Sequence, residues 1–300
     1  MPLRIEIYES PYGSAPSAAA ARNERSGAYD MASLLRQRRG GGRAACKSAA
    51  MKGPCRKDRR LVTGGGGAIG SAIICRRFAE EGAKVLVADK AKASAEADRQ
   101  ARSRDARWCS TSPTIRQRTR AISDTGIDIL VNNAGWDRFQ NFVDMQPEDW
   151  EALIAVNLRG PLNMHRLILP QMLARAARGR IVNISSDAAR VGSSAKAVYS
   201  ACKGGIISFS KTLAREVARK GHQRVNVVCP GPTDTPILRG FLGEGEAGQK
   251  VYDALVRAIP MKRVGQPDDI PGIVAFLASD DAAFITGQVI SVSGGLTMAG

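Results

Sequence analysis

Tyr199 and Lys203 are the residues whose spacing most directly suggests acid–base chemistry. They are four positions apart in a stretch with a helical pattern, so both side chains fall on one face of the predicted helix. A free tyrosine phenol has a pKa of about 10, and a nearby ammonium lowers that pKa by stabilising the phenolate. Ser186, thirteen residues before Tyr199, follows a predicted strand and can orient the reacting oxygen. The set predicts proton transfer to or from an alcohol or ketone, with Tyr199 as the acid/base.

A glycine-rich turn, Thr63–Gly70, is the second feature with chemical meaning. It follows the apolar pair Leu61-Val62 and opens a predicted helix. Glycines let the backbone turn tightly and approach a pyrophosphate, whose charge then lies at the helix N-terminus. We therefore predict a dinucleotide site at this turn. Its predicted contacts are Gly64, Gly67, Ile69 and Gly70.

Asp89 predicts which dinucleotide is bound. It comes nineteen residues after Gly70, at the end of the next predicted strand. A carboxylate at that place accepts hydrogen bonds from both hydroxyls of the adenosine ribose and repels a 2′-phosphate. The predicted cofactor is therefore NAD. The neighbouring cation Lys90 could tolerate a phosphate, so NADP stays the alternative.

The elements that must position these residues alternate between strands and helices. Short runs rich in β-branched residues predict strands at 85–88, 127–131, 180–184, 225–228 and 288–292. Helical windows lie between them, at 69–81, 147–158, 160–177, 198–219 and 267–278. This alternation implies right-handed crossovers. We predict one α/β domain with a Rossmann-type, doubly wound parallel sheet of about seven strands.

Composition and charge exclude several other classes of protein. The net charge is +16, but the excess is concentrated in residues 1–60 and 90–128, which lack hydrophobic periodicity, so we predict no nucleic-acid partner. No run approaches the roughly 18 apolar residues of a membrane helix, and we predict no membrane contact. The six cysteines are scattered without the spacing of a metal site. This predicts reduced thiols, no metal and a cytoplasmic location.

Three segments depart from the alternating pattern. Residues 1–50 are rich in Ala, Arg, Gly and Ser and are predicted to be a disordered or non-native extension, which leaves 51–300 as the domain. Residues 55–60 carry charges where a buried first strand is expected, and such charges are costly without partners. Residues 97–121 show no strand pattern. We interpret the anomalies at 55–60 and 97–121 as the result of local reading-frame slips in the gene.

Taken in order, the motifs resemble those of the short-chain dehydrogenase/reductase family. The resemblance covers about residues 61–300. It is carried by the glycine-rich turn, by Asn132–Gly135, by the set Ser186, Tyr199 and Lys203, and by Pro230–Thr235. It implies an NAD-dependent enzyme that oxidises a secondary alcohol to a ketone. A homotetramer is also implied.

The resemblance adds further site residues. Asn157 matches the family's water-relay residue, although it could also be a residue at a helix kink. Tyr199 and Lys203 are implied to contact the dinucleotide as well as the substrate. The remaining cofactor contacts implied are Asn132, Ala134 and Gly135 beside the adenine, and Pro230, Gly231, Thr233 and Thr235 at the nicotinamide carboxamide.

Finer stretches of sequence suggest a substrate. Gly135–Asp137, Ser186–Ser194 and Phe284–Met298 are similar to those of family members that oxidise 2-hydroxycyclohexanecarboxyl-CoA to its 2-keto thioester in anaerobic aromatic-acid degradation. A ring alcohol β to a CoA thioester is therefore the expected small-molecule partner.

Three side chains are candidates for recognising such a substrate, each with a purely structural alternative. Trp136 would line the ring site or else belong to the core, and Arg190 or Lys196 would meet an acidic group or else be solvated. Two other functions stay open. One is a 3-oxoacyl thioester reductase that uses NADPH, and the other is a nucleotide-binding protein with impaired catalysis.

Overall fold

The computed structural model describes most of the chain from residue 58 onward. The described residues are 4–8, 58–64, 69, 74–89, 107–109, 126–175, 178–220, 223–243 and 245–299, with backbone alone for 4–8, 89 and 107–109. The predicted domain boundary at residue 51 lies outside them. Within these ranges the chain forms an α/β fold built on one sheet, as the alternation predicted.

Eight strands form this sheet in the order β4-β1-β3-β2-β5-β6-β7-β8. They are β1 (Arg4–Tyr8), β2 (Arg59–Thr63), β3 (Lys84–Asp89), β4 (Arg107–Cys109), β5 (Ile129–Asn132), β6 (Arg180–Ile184), β7 (Arg224–Pro230) and β8 (Val289–Val292). The six strands from β3 to β8 in this order are parallel, whereas β1 pairs antiparallel with β3 and β4. The parallel part is close to the predicted sheet of about seven strands.

The described helices lie between the strands, close to the predicted windows. They are α1 (Arg76–Glu80), α2 (Pro147–Ile154), α3 (Gly160–Ala174), α4 (Ala188–Val191), α5 (Ala197–Ala218), α6 (Pro236–Leu242), α7 (Gly245–Ala258) and α8 (Pro271–Ala278). A π-helical turn, Ala155–Arg159, joins α2 to α3. Proline at the first or second position begins four of them, where its missing N–H costs no hydrogen bond.

Two hydrophobic cores cover the two faces of the sheet, because successive strand residues point to opposite sides. On one face Val62 and Val131 contact a cluster that includes Phe78 of α1. On the other face Leu61 and Leu130 belong to a cluster of α3 and α5 residues. This double burial explains why the central strands read as continuous apolar runs.

The strand order reverses between β2 and β5: β3 is added on one side of β2, and β5 and the later strands are added on the other side. β2 pairs with β3 on one side and with β5 on the other, and Thr63 is level with Asn132 at the carboxyl ends. Open α/β sheets bind ligands at such a reversal of the strand order. The fold places Thr63 and Gly64, which begin the glycine-rich turn, at this edge.

Two strands lie in segments where the sequence predicted none. β1 falls within the predicted extension 1–50, and β4 falls within 97–121. Arg4–Tyr8 alternates charged and apolar residues over five positions, a pattern too short to identify a strand by itself. The open edge of β3 supplies the hydrogen-bonding partner that such a short segment needs. The other residues of 1–50 and 97–121 lie outside the described residues.

A charged side chain is buried in β2, as the sequence indicated. Arg60 is fully buried, with its guanidinium 4.3 Å from the centroid of the Phe78 ring and Nη1 3.3 Å from Oε2 of Glu81. Its Nε and Nη2 atoms have no hydrogen-bond partner. Burial lowers the pKa of Arg60, and Glu81 opposes this effect. The guanidinium of Arg60 is therefore paired through one of its three nitrogen atoms only.

Candidate active site

Tyr199 and Lys203 lie one turn apart on α5, as their spacing predicted. Nζ of Lys203 is 5.8 Å from the centroid of the Tyr199 ring and donates a 3.0 Å hydrogen bond to the carbonyl of Ile184. Lys203 is buried, and this burial lowers its pKa to about 8. An ammonium with that pKa is still largely charged at neutral pH. It therefore places a positive charge beside the phenol.

The pKa of Tyr199 is shifted in the opposite direction from the sequence-based prediction. Burial raises the pKa of the phenol, the carboxylate of Asp137 raises it further, and a hydrogen bond with Ser186 lowers it. The prediction of a lowered pKa is therefore wrong for the surroundings that the protein itself provides. The reason is that the desolvation of a buried phenolate, with the charge of Asp137, outweighs the hydrogen bond with Ser186.

Ser186 reaches the phenol from the end of β6. Its hydroxyl accepts a 3.2 Å hydrogen bond from the N–H of Ala188 at the start of α4. The preceding Ser185 donates through Oγ to the carbonyl of Lys203 at 2.9 Å and through its N–H to Val228 on β7 at 2.8 Å. These bonds hold the strand end against α5, so Ser186 and Tyr199 meet as predicted.

Asn157 lies in the π-helical turn and is fully buried. Its Nδ2 donates to the carbonyls of Trp136, at 2.7 Å, and of Leu153, at 3.0 Å. Its Oδ1 accepts the N–H of Trp136 at 3.2 Å. The side chain therefore fixes the loop after β5 to a helix irregularity of the kind often found at functional sites.

Gly135 lies between Asn157 and Lys203. A Cβ atom at this position would lie 3.3 Å from both Oδ1 of Asn157 and Nζ of Lys203. The absence of a side chain keeps the space in front of the amine open. The predicted contact position is thus next to the predicted catalytic residues.

The start of the glycine-rich turn packs against the loop after β5. Gly64 has φ +64°, and a Cβ there would lie 2.6 Å from Cα of Ala134. Oγ1 of Thr63 accepts the N–H groups of Asn133 and Ala134, both at 3.1 Å. Glycine at position 64 is therefore required by its positive φ and by the close approach of the two loops. The sequence analysis did not identify Thr63, although it opens the glycine motif.

Three of the predicted cofactor contacts, Gly67, Gly70 and the side chain of Asp89, lie outside the described residues. Ile69 is partly buried against the first core cluster. The preference for NAD over NADP thus stays a prediction.

The segment after β7 is held by hydrogen bonds to the end of β8 and by two threonine side chains of its own. The N–H of Gly231 donates to Val292 at 3.0 Å, and a Cβ at Gly231 would meet Cβ of Ser293 at 2.8 Å. Thr233 donates through Oγ1 to the carbonyl of Gly231 at 2.9 Å. Thr235 is the N-cap of α6, accepting the N–H of Leu238 at 3.4 Å. Pro230 ends β7, so all four predicted residues lie at the carboxyl edge of the sheet.

The sequence of this chain is similar to a family model and to several known proteins. The family model described as "Enoyl-(Acyl carrier protein) reductase" matches residues 66–297. A 3-oxoacyl-[acyl-carrier-protein] reductase of Thermotoga maritima is 34% identical over 249 residues, which cover 79% of this chain and 97% of the relative. An acetoacetyl-CoA reductase of Allochromatium vinosum is 37% identical over 251 residues, covering 79% and 98%.

The chain belongs to the short-chain dehydrogenase/reductase family. A solved structure titled as a short-chain dehydrogenase/reductase, glucose/ribitol dehydrogenase, from Brucella melitensis aligns with a TM-score of 0.69 and 30% identity, covering 81% of this chain and 97% of that one. The protein is accordingly an oxidoreductase that acts on a secondary alcohol or ketone.

The arrangement is suited to chemistry at a secondary alcohol or ketone. A nicotinamide dinucleotide would supply the hydride acceptor or donor for such a reaction. A phenol at the place of Tyr199 can give a proton to a ketone oxygen or take it from an alcohol. The hydroxyl of Ser186 can hold the reacting oxygen near that phenol, and an ammonium such as Lys203 favours a phenolate.

The side chain of Asn132 belongs to a buried polar cluster that the sequence analysis did not predict. Its Nδ2 donates to Oδ1 of Asn183 at 2.8 Å, and Asn183 donates to Oγ of Ser210 at 2.8 Å. His165 completes this buried cluster, with Nδ1 2.7 Å from the carbonyl of Pro161. The side chain of Asn132 thus links β5 to β6 and the helices, and its contact with the adenine stays a prediction. A single histidine has no sequence pattern that would have indicated this cluster.

An aromatic wall, formed by Phe139 in the loop after β5 and Phe241 in α6, lies beside the ammonium of Lys196, which is also 5.5 Å from the centroid of the Tyr199 ring. The rings of Phe139 and Phe241 are 4.5 Å apart, and Nζ of Lys196 is 4.3 Å from the Phe139 ring. Trp136 is partly buried and is held through its backbone by Asn157. The wall supplies apolar surface next to the predicted proton donor.

The two cations predicted to meet an acidic substrate already have partners. Nζ of Lys196 is 3.2 Å from Oδ2 of Asp137. Arg190 donates through Nη1 to Oγ of Ser291 at 2.8 Å and through Nη2 to the carbonyl of Ala299. Neither is the solvated side chain of the alternative interpretation. Sequence patterns missed Asp137, because a single acid in a loop gives no periodic signal.

The described residues were also searched for a membrane-spanning helix and for a metal site. Among them, no helix is both long and apolar enough to span a bilayer. Searching the same residues found no group of three or more His, Cys, Asp or Glu side chains that could hold a metal ion.

Proposed function

We propose that this enzyme interconverts 3-hydroxyacyl and 3-oxoacyl thioesters, with Tyr199 as the proton donor and acceptor. The observation that carries the proposal is that Tyr199 has Ser186 and Lys203 beside it, and that Lys203 is next to Gly135 in the loop that packs against Gly64. The relatives named as 3-oxoacyl-[acyl-carrier-protein] reductase and acetoacetyl-CoA reductase act on thioesters of this kind.

Within this class we propose 2-hydroxycyclohexanecarboxyl-CoA and NAD as the preferred pair. Its ring alcohol is β to the thioester carbonyl, so it undergoes the same reaction as a linear 3-hydroxyacyl thioester. The contact of Phe139 with Phe241, whose ring centroids are 4.5 Å apart, offers an apolar aromatic surface against which a six-membered ring can pack. Asp89 supports NAD by its position at the end of β3.

The second candidate is reduction of a linear 3-oxoacyl thioester with NADPH. The names of the relatives favour it, since two of them are called reductases of such substrates. The two candidates differ in cofactor, in the shape of the acyl group and in the direction that is assayed, so they can be separated directly.

The test is a four-way assay that follows the absorbance of the reduced nicotinamide. Purified protein is offered 2-hydroxycyclohexanecarboxyl-CoA with NAD or NADP, and acetoacetyl-CoA with NADH or NADPH. The first proposal predicts the highest kcat/KM for the ring alcohol with NAD. A preference for acetoacetyl-CoA with NADPH would support the second candidate instead. Dinucleotide binding without turnover of either thioester would favour the impaired nucleotide-binding protein.

Assembly and location stay predictions of the family resemblance and the cysteine pattern. We expect a homotetramer, which light scattering on the purified protein would test. The cytoplasmic location would be tested by fractionating cells that express the gene.

A further inference from the structure

A buried carboxylate lies close to the proton-transferring phenol, and the mechanism described above does not use it. The side chain of Asp137 is only 1% exposed and belongs to the loop that follows β5. It acts on the charge state of Tyr199, since its negative charge disfavours a phenolate nearby. A buried carboxylate without a partner is costly, so its surroundings must compensate the charge.

Lys196 provides that compensation at the start of α5. Its Nζ is 3.2 Å from Oδ2 of Asp137 and 5.5 Å from the centroid of the Tyr199 ring, and the side chain is 19% exposed. The ammonium also lies 4.3 Å from the Phe139 ring, a favourable cation–π distance. One cation thus contacts the carboxylate and the wall next to the phenol.

The backbone is arranged to hold this pair in place. Ala195, which precedes Lys196, has φ +60°, a conformation that non-glycine residues adopt at a cost. Its carbonyl accepts the N–H of Gln140 at 3.0 Å, which joins the segment before α5 to the loop that carries Asp137. A strained residue at the join of two loops suggests that their relative position matters.

Other charged and titratable groups also face the phenol and the carboxylate. Lys203 lies 5.8 Å from the Tyr199 ring on the same helix, and the thiol of Cys229 on β7 acts on Tyr199 as well. Asp137 is influenced by Lys196, by Lys203 and by the N–H of Arg138. Of these groups, Lys196 makes the direct ion pair with Asp137.

We propose that Lys196 is a positioning residue that neutralises Asp137 and thereby sets the pH at which Tyr199 exchanges its proton. This inference rests on the proposed role of Tyr199 as the acid/base. Burial raises the pKa of Asp137 and Lys196 opposes that effect, which agrees with a carboxylate kept charged by its partner. The pair is therefore a specific feature of this site rather than a surface contact.

The test compares pH profiles of kcat/KM for alcohol oxidation. In Lys196→Met the apparent pKa of the rising limb should increase by about one unit, which is a loss of about tenfold below that pH. In Asp137→Asn it should decrease by about one unit. Lys196→Arg should restore the wild-type profile, and the double variant should lie between the two single variants.

Lys250→Met is the matched control, because it removes an exposed ion pair with Glu246 at 2.8 Å. It should leave the profile unchanged. Unaltered profiles in Lys196→Met and Asp137→Asn, with thermal unfolding like that of the wild type, would overturn the inference.

A second measurement keeps the inference separate from the proposed substrate. The chain has five tyrosines, so isotope-labelled tyrosine gives few NMR signals, and the Tyr199 signal is the one lost in Tyr199→Phe. Asp137→Asn should bring the onset of phenol ionisation to lower pH without any turnover being needed. If this shift occurs but no thioester is turned over, the proposed function fails and the inference stands. An unmoved Tyr199 signal contradicts the inference alone.

Discussion

Tyr199 shows how burial and charge compete around one functional group. The phenol needs contact with the substrate, and partial burial provides it, but burial also disfavours the phenolate. Lys203 and the hydrogen bond with Ser186 act in the favourable direction, and Asp137 acts against them. The charge on the dinucleotide when it is bound and the neutralisation of Asp137 by Lys196 therefore matter for catalysis.

Replacing Tyr199 by phenylalanine tests its role most directly. Tyr199→Phe removes the proton donor while keeping the ring, so turnover should fall by about a hundredfold or more and NAD binding should change little. Steady-state rates and a fluorescence titration with NAD measure the two quantities. Tyr252→Phe on α7 is the matched control and should keep its activity. Retained turnover in Tyr199→Phe would refute the proton-transfer role.

At the scale of elements, the turn after β2 depends on one glycine conformation. Gly64 combines a positive φ with a 2.6 Å approach of its missing Cβ to Ala134. Any side chain there has to move the loop that also carries Gly135. A change at Gly64, a predicted phosphate contact, is therefore expected to move Gly135, which is next to Lys203.

Gly64→Ala should destabilise the protein by about 2 kcal/mol and weaken dinucleotide binding. The cause is the strained left-handed backbone together with the clash against Ala134. Thermal unfolding and NAD titration are the measurements. Gly272→Ala on α8, where nothing lies within 4 Å, should instead be slightly stabilising. Equal effects of the two substitutions would contradict this account of the turn.

The start of β2 provides a second prediction about an element. Glu81→Gln leaves the buried guanidinium of Arg60 without its carboxylate, so the free energy of unfolding should fall by about 3 kcal/mol. Chemical denaturation measures it. Arg60→Met, which replaces the charge by an apolar chain of similar length, should be neutral or stabilising.

Glu80→Gln is the control for this pair. Glu80 lies next to Glu81 but is 58% exposed, and its contact with Arg76 is 3.7 Å. The expected change is below about 0.5 kcal/mol. A large loss in Arg60→Met would show that the buried charge itself stabilises β2.

At the scale of the whole molecule, a buried polar cluster joins both central strands to two helices. His165 on α3 contacts the Pro161 carbonyl through Nδ1 and Nδ2 of Asn183 through Nε2 at 3.3 Å. Burial lowers the pKa of His165 to about 4. The ring is therefore neutral in the folded protein at neutral pH, donating at Nδ1 and accepting at Nε2.

This cluster predicts a dependence of global stability on acid. As the pH falls, His165 binds a proton near pH 6.5 in the unfolded protein but only near pH 4 in the folded protein. Stability from this group is thus complete above pH 6.5 and is lost as the pH falls to 4, by about 3 kcal/mol. Denaturation curves at a series of pH values measure this loss.

His165→Gln should flatten the dependence on pH between 4 and 6.5, because the titrating group is gone. The protein has one other histidine, His222, and His222→Gln should retain the wild-type slope. Parallel curves for the wild type and His165→Gln would show that carboxylates alone cause the acid sensitivity.

The elements with regular patterns were predicted well from the sequence. The strand Arg180–Ile184 has the predicted bounds, and α5 differs from its predicted window by one residue at each end. β1 was not predicted, because five residues carry too little periodicity. Asp137 was not predicted as part of the site, because its importance comes from contact with Lys196, far along the chain.

The sequence by itself determined the α/β alternation, the order of the motifs and the pairing of Tyr199 with Lys203, because these features follow from residue type and short spacing. Only the tertiary structure decided the charge around the phenol. That charge comes from Asp137 and Lys196, which the loop after β5 and the start of α5 bring together. Desolvation depends on everything that surrounds a group, so it cannot be read from neighbours in the chain.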